Sequence, residues 1–181
     1  MRKVFMVMLL TAAVIFASAA ANAFADSAKV LDIKVDDTLK LFKAVKGSDD
    51  LIKSAKGLLV FPSVMKAGIG LGGEYGEGSL LVNGSTQGYY NTASASIGFQ
   101  LGVQKKSIII AFMQQDALDK FLGSDGWKIG ADASVAVIAV GAEGALDTQS
   151  TNQPVVAFVF DQKGLMYNLT LEGTKISKIS K

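Results

Sequence analysis

The glycine-rich segment "GIGLGG" is the first stretch of this sequence whose spacing suggests chemistry. Gly68, Gly70 and Gly73 satisfy the G-x-G-x-x-G spacing with which nucleotide-binding proteins bring backbone N–H groups against phosphate. That use requires a helix directly after the glycines and an acidic residue about 20 positions further on for the ribose. Here more glycines and a strand pattern follow, and after Glu77 the next acidic residue is Asp116. We therefore expect no phosphate loop.

A strand with a bare face explains the same glycines. Gly68, Gly70 and Gly72 are alternate residues, so in a strand they point to one face and leave it without side chains. Such a face lets another backbone approach closely or lets a sheet bend. Gly73 breaks the alternation, which predicts a bulge at that residue.

Two further patterns could be catalytic. Ser63 and Lys66 match S-x-x-K, the nucleophile motif of penicillin-recognising enzymes, but no K-T-G follows and Ser63 comes after Pro62, where a turn is expected. Glu74 and Glu77 could form an acid/base pair only on a shared face. Residues three apart in a strand face opposite sides, so we expect a solvated turn. We predict no catalytic residue and a non-enzymatic protein.

Two residue types that carry much of protein chemistry are absent. The sequence contains no cysteine and no histidine. This excludes a cysteine nucleophile, a histidine base and the commonest zinc and copper ligands. It also excludes disulfides, so the fold must be held by packing. We predict no metal and no cofactor.

Residues 1–25 are predicted to be a secretory signal peptide. Arg2 and Lys3 precede an apolar run, and small residues with Ala-x-Ala endings follow. Cleavage could follow Ala23 or Ala25. A retained anchor is the competing interpretation, because the apolar stretch approaches the roughly 20 residues that a membrane span needs. We expect export to the periplasm or cell envelope, peripheral to the membrane.

The charge balance excludes a further class of function. The full chain has 18 basic and 16 acidic residues, and the leader holds two of the basic ones, which leaves 18 − 2 = 16 against 16. A nucleic-acid-binding domain would show a basic surplus. We therefore predict no nucleic-acid partner.

An amphipathic helix is predicted at residues 30–46. Its apolar residues recur at spacings of three and four and form one stripe. They are Leu31, Val35, Leu39, Phe42 and Val45. On the opposite face, Asp36 and Lys40 are placed for an i,i+4 pair.

The rest of the chain predicts an α+β fold. Ser48 is expected to cap a short second helix, and Asp116 and Gly123 bound a third. Strands are predicted at 58–62, ending at Pro62, and over most of the chain from residue 68, with Glu143-Gly144 and Lys163-Gly164 as hairpin turns. Some seven to nine strands imply a strongly curved or closed, barrel-like antiparallel sheet with two or three short helices outside. Residues 26–181 should form one domain.

Several long blocks of the sequence resemble one family. They are "AKGLLVFPSVMKAGIGLGGEYGEG" (55–78), "GYYNTASASIG" (88–98), "ALDKF" (117–121), "GWKIGADAS" (126–134), "VVAFVFDQKGLM" (155–166) and "LEGTKI" (171–176). Over residues 30–180 the chain resembles the SYLF family of lipid-binding domains. The resemblance implies a non-enzymatic domain that binds phospholipid membranes, phosphoinositides in eukaryotic members, and actin in some fungal members.

The resemblance also implies site residues. In eukaryotic members an amphipathic N-terminal helix contacts the membrane, aided by basic residues, and residues 30–46 match that helix. The implied membrane-binding residues are Leu31, Val35, Leu39, Phe42, Lys40, Lys43, Lys46, Lys53, Lys56 and Lys66. An exported protein would meet anionic envelope phospholipid rather than actin, with a protein partner in the envelope also possible.

Physical estimates leave the helix's role open. Five large apolar side chains would contribute on the order of 7 to 15 kcal/mol if fully buried, in a membrane or against the sheet alike. Residues 40–56 hold five lysines against Asp49 and Asp50, which favours an anionic surface. The alternative is a structural or protein-interaction module whose helix face belongs to the core.

Overall fold

The computed structural model describes residues 26–140, 152–163 and 171–181, and only the backbone of residues 68–71 and 96–102 within its strands. The predicted leader, the turn at Glu143-Gly144 and residue Gly164 lie outside the described residues. The described part contains three helices and a mixed sheet curled into a half-barrel. The prediction of an α+β fold with a strongly curved sheet is confirmed.

The helices lie close to their predicted positions. Helix α1 is Ala28–Lys43, α2 is Ser48–Ser54 and α3 is Gln115–Leu122. Ser27 begins α1 as its N-cap, accepting a hydrogen bond from the Val30 N–H at 3.4 Å. The predicted cap of α2 was wrong, because Gly47 in the left-handed region precedes the helix and Ser48 is its first residue.

Two long strands build most of the sheet. Strand β1 is Gly57–Val82 and β2 is Ser85–Phe112, and they pair antiparallel along their whole length. Asn83 and Gly84 join them with φ of 52° and 76°. Positive φ at both residues is the two-residue hairpin turn for which Asn-Gly is preferred.

Shorter strands extend the sheet from β2, where β5 and β6 pair with different segments of that strand. They are β3 (Trp127–Lys128), β4 (Ala136–Ala139), β5 (Val155–Lys163) and β6 (Lys175–Ile179). The order is β3-β6-β2-β5-β4, with β1 on β2. Strand β4 runs parallel to β5, so the prediction of an antiparallel sheet was wrong at that edge. The other pairs are antiparallel.

The irregularities of β1 differ from the two that the sequence predicted. Pro62 does not end a strand, since β1 continues through a register shift between Phe61 and Val64, where the missing proline N–H is tolerated. The bulge predicted at Gly73 is wrong, because Gly73 pairs regularly with Ala95. The irregularity lies between Ile69 and Leu71.

The sheet has a hydrophobic cluster on each face. The inner cluster includes Phe61, Ile110, Phe112 and Trp127, together with Phe121 of α3. The outer cluster lies between the sheet and the helices α1 and α2, and it includes Phe42, Val60, Ile109, Phe158 and Phe160. The packing that the absence of disulfides requires is therefore supplied on both sides of one sheet.

Glycines allow β1 to curl over its own first half. A Cβ at Gly78 would lie 2.1 Å from the Val60 carbonyl oxygen, and one at Gly76 would lie 2.8 Å from that of Ser63. Real Cβ atoms do not approach that closely. The bare face was predicted for Gly68, Gly70 and Gly72, whereas the close approaches in the structure are at Gly76 and Gly78. The side-chain surroundings of residues 68–71 lie outside the described part.

Candidate membrane surface and buried charge clusters

The predicted apolar face of α1 is part of the core. Leu31, Val35 and Phe42 are buried in the outer cluster, and Leu39 is partly buried against it. The Phe42 ring lies 5.1 Å from Phe158 and 5.4 Å from Phe160, centroid to centroid. The sequence left open whether this face contacts a membrane or belongs to the core, and in the structure it belongs to the core. These side chains are not accessible to a membrane while α1 packs on the sheet.

A polar contact fixes the first half of α1 to the sheet. The Tyr89 hydroxyl of β2 donates a hydrogen bond to Asp32 Oδ2 at 2.9 Å. Desolvation, and then the hydrogen bond to the Asp32 carboxylate, raise the pKa of Tyr89 above its ordinary value. Asp32 lies at the edge of the outward face of α1, so this bond sets the rotation of the helix about its axis.

A second apolar stripe on α1 faces away from the protein. Val30, Ile33 and Leu41 keep 42 %, 53 % and 58 % of their surface exposed. At 100° per residue they fall within about 80° of one another, on the side opposite the buried face. The outward face of α1 is therefore partly apolar.

Most of the predicted lysines surround this stripe or follow it in the chain. Lys40, Lys43, Lys46, Lys53 and Lys56 are all exposed. The exposed Lys40 pairs with Asp37 at 2.9 Å, and the hydrogen bond and charge of Asp37 raise the pKa of Lys40. These side chains are free to meet an anionic surface.

Lys66 is in a different environment from the other predicted lysines. Its Nζ lies 3.2 Å from Glu74 Oε1, and Lys106 Nζ lies 2.9 Å from Glu74 Oε2. The side chains of Lys66, Lys106 and Glu74 are only 3 %, 0 % and 9 % exposed. We call these three residues the interior charge cluster. Lys66 therefore does not share the exposed surface on which the other predicted lysines lie.

The interior charge cluster continues the inner face of the sheet. Lys66 follows Val64 by two positions and Lys106 precedes Ile108 by two, so both lysines point into the half-barrel. Gln104 is buried beside them, with its Nε2 donating to Gln162 Oε1 at 3.4 Å. On β2, Thr92 is buried and its neighbour Ala93 is exposed.

Glu77 forms a separate cluster on the other face of β1. Glu77 Oε2 accepts from Lys181 Nζ at 2.6 Å and from the Asp26 backbone N–H at 3.2 Å, and Oε1 accepts from the Tyr75 hydroxyl at 3.0 Å. Lys181 Nζ also donates to the Asp26 carbonyl at 2.6 Å. We call Asp26, Tyr75, Glu77 and Lys181 the N-terminal clamp.

The positions of Glu74 and Glu77 contradict one prediction and confirm another. Glu74 and Glu77 belong to β1 and are mostly buried in ion pairs, so the expected solvated turn was wrong. They do face opposite sides of the strand, which separates their carboxylates. The sequence pointed to neither cluster because Lys106, Lys181 and Asp26 are distant in the chain from both glutamates.

The outward stripe had a detectable signal in the sequence. Val30, Ile33 and Leu41 recur at helical spacings in the same segment as the buried stripe. A helix that covers a core on one side needs no second apolar stripe, so the exposed one has no role in packing.

The comparisons with known proteins agree with the resemblance. A family model described as "Ysc84: Las17-binding protein actin regulator" matches residues 93–181. This is the SYLF family, and the predicted resemblance to it is confirmed over residues 93–181. The family is associated with lipid and actin binding. No curated protein matches the chain.

Two features are absent from the described residues. None of the helices within them is long and apolar enough to cross a membrane. The same residues hold no cluster of three or more acidic side chains placed to bind a metal ion.

Proposed function

We propose that the protein is a non-enzymatic phospholipid-binding domain of the cell envelope that contacts anionic membranes through the outward face of α1. The observation that carries this proposal is the exposed stripe of Val30, Ile33 and Leu41 beside exposed lysines, on a helix whose other face is already packed. The association of the SYLF family with lipid binding supports it.

The expected affinity is that of a reversible, peripheral contact. Each stripe residue is about half exposed, so burying the remainder contributes roughly 1 kcal/mol per side chain. Lys40, Lys43 and Lys46 contribute about 1 kcal/mol each near an anionic surface. The sum, about 6 kcal/mol, resembles the marginal anchoring by one acyl chain.

Membrane contact through the buried face would cost far more. Leu31, Val35 and Phe42 contribute about 5–9 kcal/mol to the core together, which is a large part of the stability of an ordinary domain. Burial in a bilayer could offset that loss of packing energy only if α1 left the sheet completely. The outward face requires no such rearrangement.

Asp37 opposes the proposed contact. It lies between Ile33 and Leu41 on the outward stripe, and its carboxylate holds Lys40 at 2.9 Å. Replacing it by asparagine removes a negative charge from the surface and frees the lysine. We expect Asp37→Asn to bind anionic vesicles several-fold more tightly than the natural sequence.

Vesicle sedimentation with paired variants tests the proposal. Ile33→Asp with Leu41→Asp should abolish sedimentation with phosphatidylglycerol vesicles and leave the circular dichroism unchanged. The control is Leu122→Asp, because Leu122 is a comparably exposed leucine, at 48 %, on α3. Equal sedimentation of the natural chain and the double variant would contradict the proposal.

A protein-interaction module is the second candidate. Met65 and Val103 are exposed on the outer face of the β1–β2 hairpin, where α1 does not cover the sheet. The words "Las17-binding" in the matched family's description name a protein partner for that family. Lack of sedimentation with any vesicle would favour this candidate.

A further inference from the structure

The interior charge cluster has more positive than negative charge. Lys66 and Lys106 share one carboxylate, Glu74, at 3.2 and 2.9 Å. Both lysine side chains are more than nine-tenths buried. Two ammonium groups against one carboxylate leave one positive charge unbalanced among the described residues.

The groups around this excess charge also lack hydrogen bonds. Lys106 Nζ is close to Glu74 but has no aligned hydrogen-bond acceptor, and Gln104 Oε1 has no donor among the described residues. The two ends of an amide side chain can be exchanged by rotation, so Gln104 can present either a donor or an acceptor. Buried polar groups are normally satisfied, and a buried unpaired ammonium is costly.

A tetrahedral oxyanion would satisfy these groups together. Its negative charge balances the second ammonium, and its oxygens accept hydrogen bonds from lysine and amide N–H groups. We propose that Lys66, Lys106 and Gln104 form a binding site for a phosphate-type anion inside the half-barrel. Glu74 holds the two lysines in place, and its side chain keeps 9 % exposure, which puts the cluster at the margin of the core. A lipid head group and free phosphate share this chemistry, and the lipid alternative rests on the proposed function.

Inorganic phosphate tests the site directly. The chain beginning at Asp26 is titrated with phosphate in a calorimeter, beside Lys106→Met and the control Lys105→Met. Lys105 is the exposed neighbour on the other face of β2. We expect binding by the natural chain and by Lys105→Met, and at least tenfold weaker binding by Lys106→Met. No binding by the natural chain, or equal binding by both variants, would overturn the site.

A second variant keeps the test decisive if Lys106→Met fails to fold. Glu74→Gln removes the negative charge that competes with the anion for both lysines, so we expect this variant to bind phosphate more tightly than the natural chain. Unchanged or weaker binding by a folded Glu74→Gln variant would count against the site.

Vesicles then distinguish the two sources of phosphate. If the ligand is a lipid head group, Lys106→Met should weaken sedimentation with phosphatidic acid vesicles. If it is free phosphate, Lys106→Met should sediment normally and lose only the calorimetric signal. The double variant at Ile33 and Leu41 should keep phosphate binding even where vesicle binding fails, so failure of the proposed function and failure of this site can be told apart.

The N-terminal clamp carries an independent inference. Asp26 is the residue that cleavage after Ala25 would make the first of the mature chain. Its nitrogen already lies 3.2 Å from Glu77 Oε2 and its carbonyl 2.6 Å from Lys181 Nζ. Its carboxylate pairs with Lys34 at 2.7 Å. Three groups of Asp26, its nitrogen, its carbonyl and its carboxylate, are therefore fixed at the predicted cleavage point.

We infer that signal peptidase cleaves after Ala25 and that the new α-ammonium group pairs with Glu77. Cleavage replaces a neutral amide N–H by a charged donor at a mostly buried carboxylate, and charge-assisted hydrogen bonds are the stronger ones. This inference rests on the export prediction. It selects one of the two cleavage points that the sequence left open.

Mass spectrometry of the exported protein and thermal unfolding test this inference together. The mature mass should begin at Asp26, and a mature mass beginning at Phe24 would overturn it. At pH 6.5, the chain with a free amine at Asp26 should melt roughly 2–4 °C above the same chain N-acetylated. The charged groups that face the amine are Glu77, Lys181, Lys34 and the Asp26 carboxylate, with Tyr75 beyond Glu77.

The pH dependence identifies the ammonium group as the cause. An α-amine titrates near pH 8 when unfolded, and pairing with Glu77 favours its charged form in the folded state. The advantage should therefore be complete at pH 6.5 and lost by pH 10. An advantage that persists at pH 10, or is absent at pH 6.5, would count against the ion pair.

Discussion

Gly78 shows how a single residue determines the curl of the sheet. A Cβ at this position would meet the Val60 carbonyl oxygen at 2.1 Å, whereas one at Gly73 would have only the Ser94 oxygen, at 3.7 Å. We expect Gly78→Ala to lower the free energy of unfolding by about 3 kcal/mol or more and Gly73→Ala to change it little. Urea denaturation measures both, and equal effects would show that the close approach is not required.

Tyr89 helps to hold α1 in position through a single side-chain hydrogen bond. Tyr89→Phe removes the hydrogen bond to Asp32 and should lower the free energy of unfolding by about 1 kcal/mol at pH 7. The folded pKa of Tyr89 is raised, so its contribution is present below the ordinary tyrosine value near 10 and falls as the pH rises through the folded pKa. The natural chain and the variant should thus converge in stability in strong alkali, and a difference that grows there would contradict this assignment.

At the scale of the element, substitutions on the two faces of α1 should differ in their effect on stability. Phe42→Ala should cost about 3–5 kcal/mol of unfolding free energy, because Phe42 fills the core against Phe158 and Phe160. Leu41→Ala, one residue earlier, should cost less than about 0.5 kcal/mol. Chemical denaturation checks the pair, and similar losses for both would show that the outward stripe also has a packing role.

The sequence predicted the elements better than their surroundings. The helical period located α1, and the glycine after α3 marked its end, because both signals are local. Whether a sheet or a bilayer covers Leu31 and Phe42 could not be predicted, since both environments are apolar. The interior charge cluster was also missed, because the pairing of Lys66 with Glu74 depends on β1 curling back over itself.

At the scale of the whole molecule, the half-barrel divides the charged residues into two groups. Lys66 and Lys106 lie inside with Glu74, while Lys40, Lys43 and the lysines that follow α1 remain exposed. Residues 26–181 are neutral overall, so attraction of this part to a membrane would depend on the local distribution of charge rather than on net charge. In the proposed membrane contact, the exposed lysines orient the molecule and the outward stripe of α1 supplies the apolar contact.

Salt should separate these two contributions. Screening at about 1 M salt shortens the Debye length to roughly 3 Å, which removes most of the attraction of exposed lysines and leaves the apolar contact. We expect vesicle binding to fall by about two orders of magnitude between low salt and 1 M, with some binding remaining. Lys40→Gln with Lys43→Gln should show a smaller salt effect, and an identical salt dependence would exclude these lysines from the contact.

Flotation of the chain beginning at Asp26 with two kinds of vesicle is the most direct test of membrane binding. One kind contains phosphatidylglycerol and the other contains phosphatidylcholine alone. We predict that the protein floats with the anionic vesicles, floats weakly or not at all with the neutral ones, and loses flotation in the double variant at Ile33 and Leu41. Absence of flotation with both kinds of vesicle, by a folded protein at low salt, would contradict lipid binding by this domain.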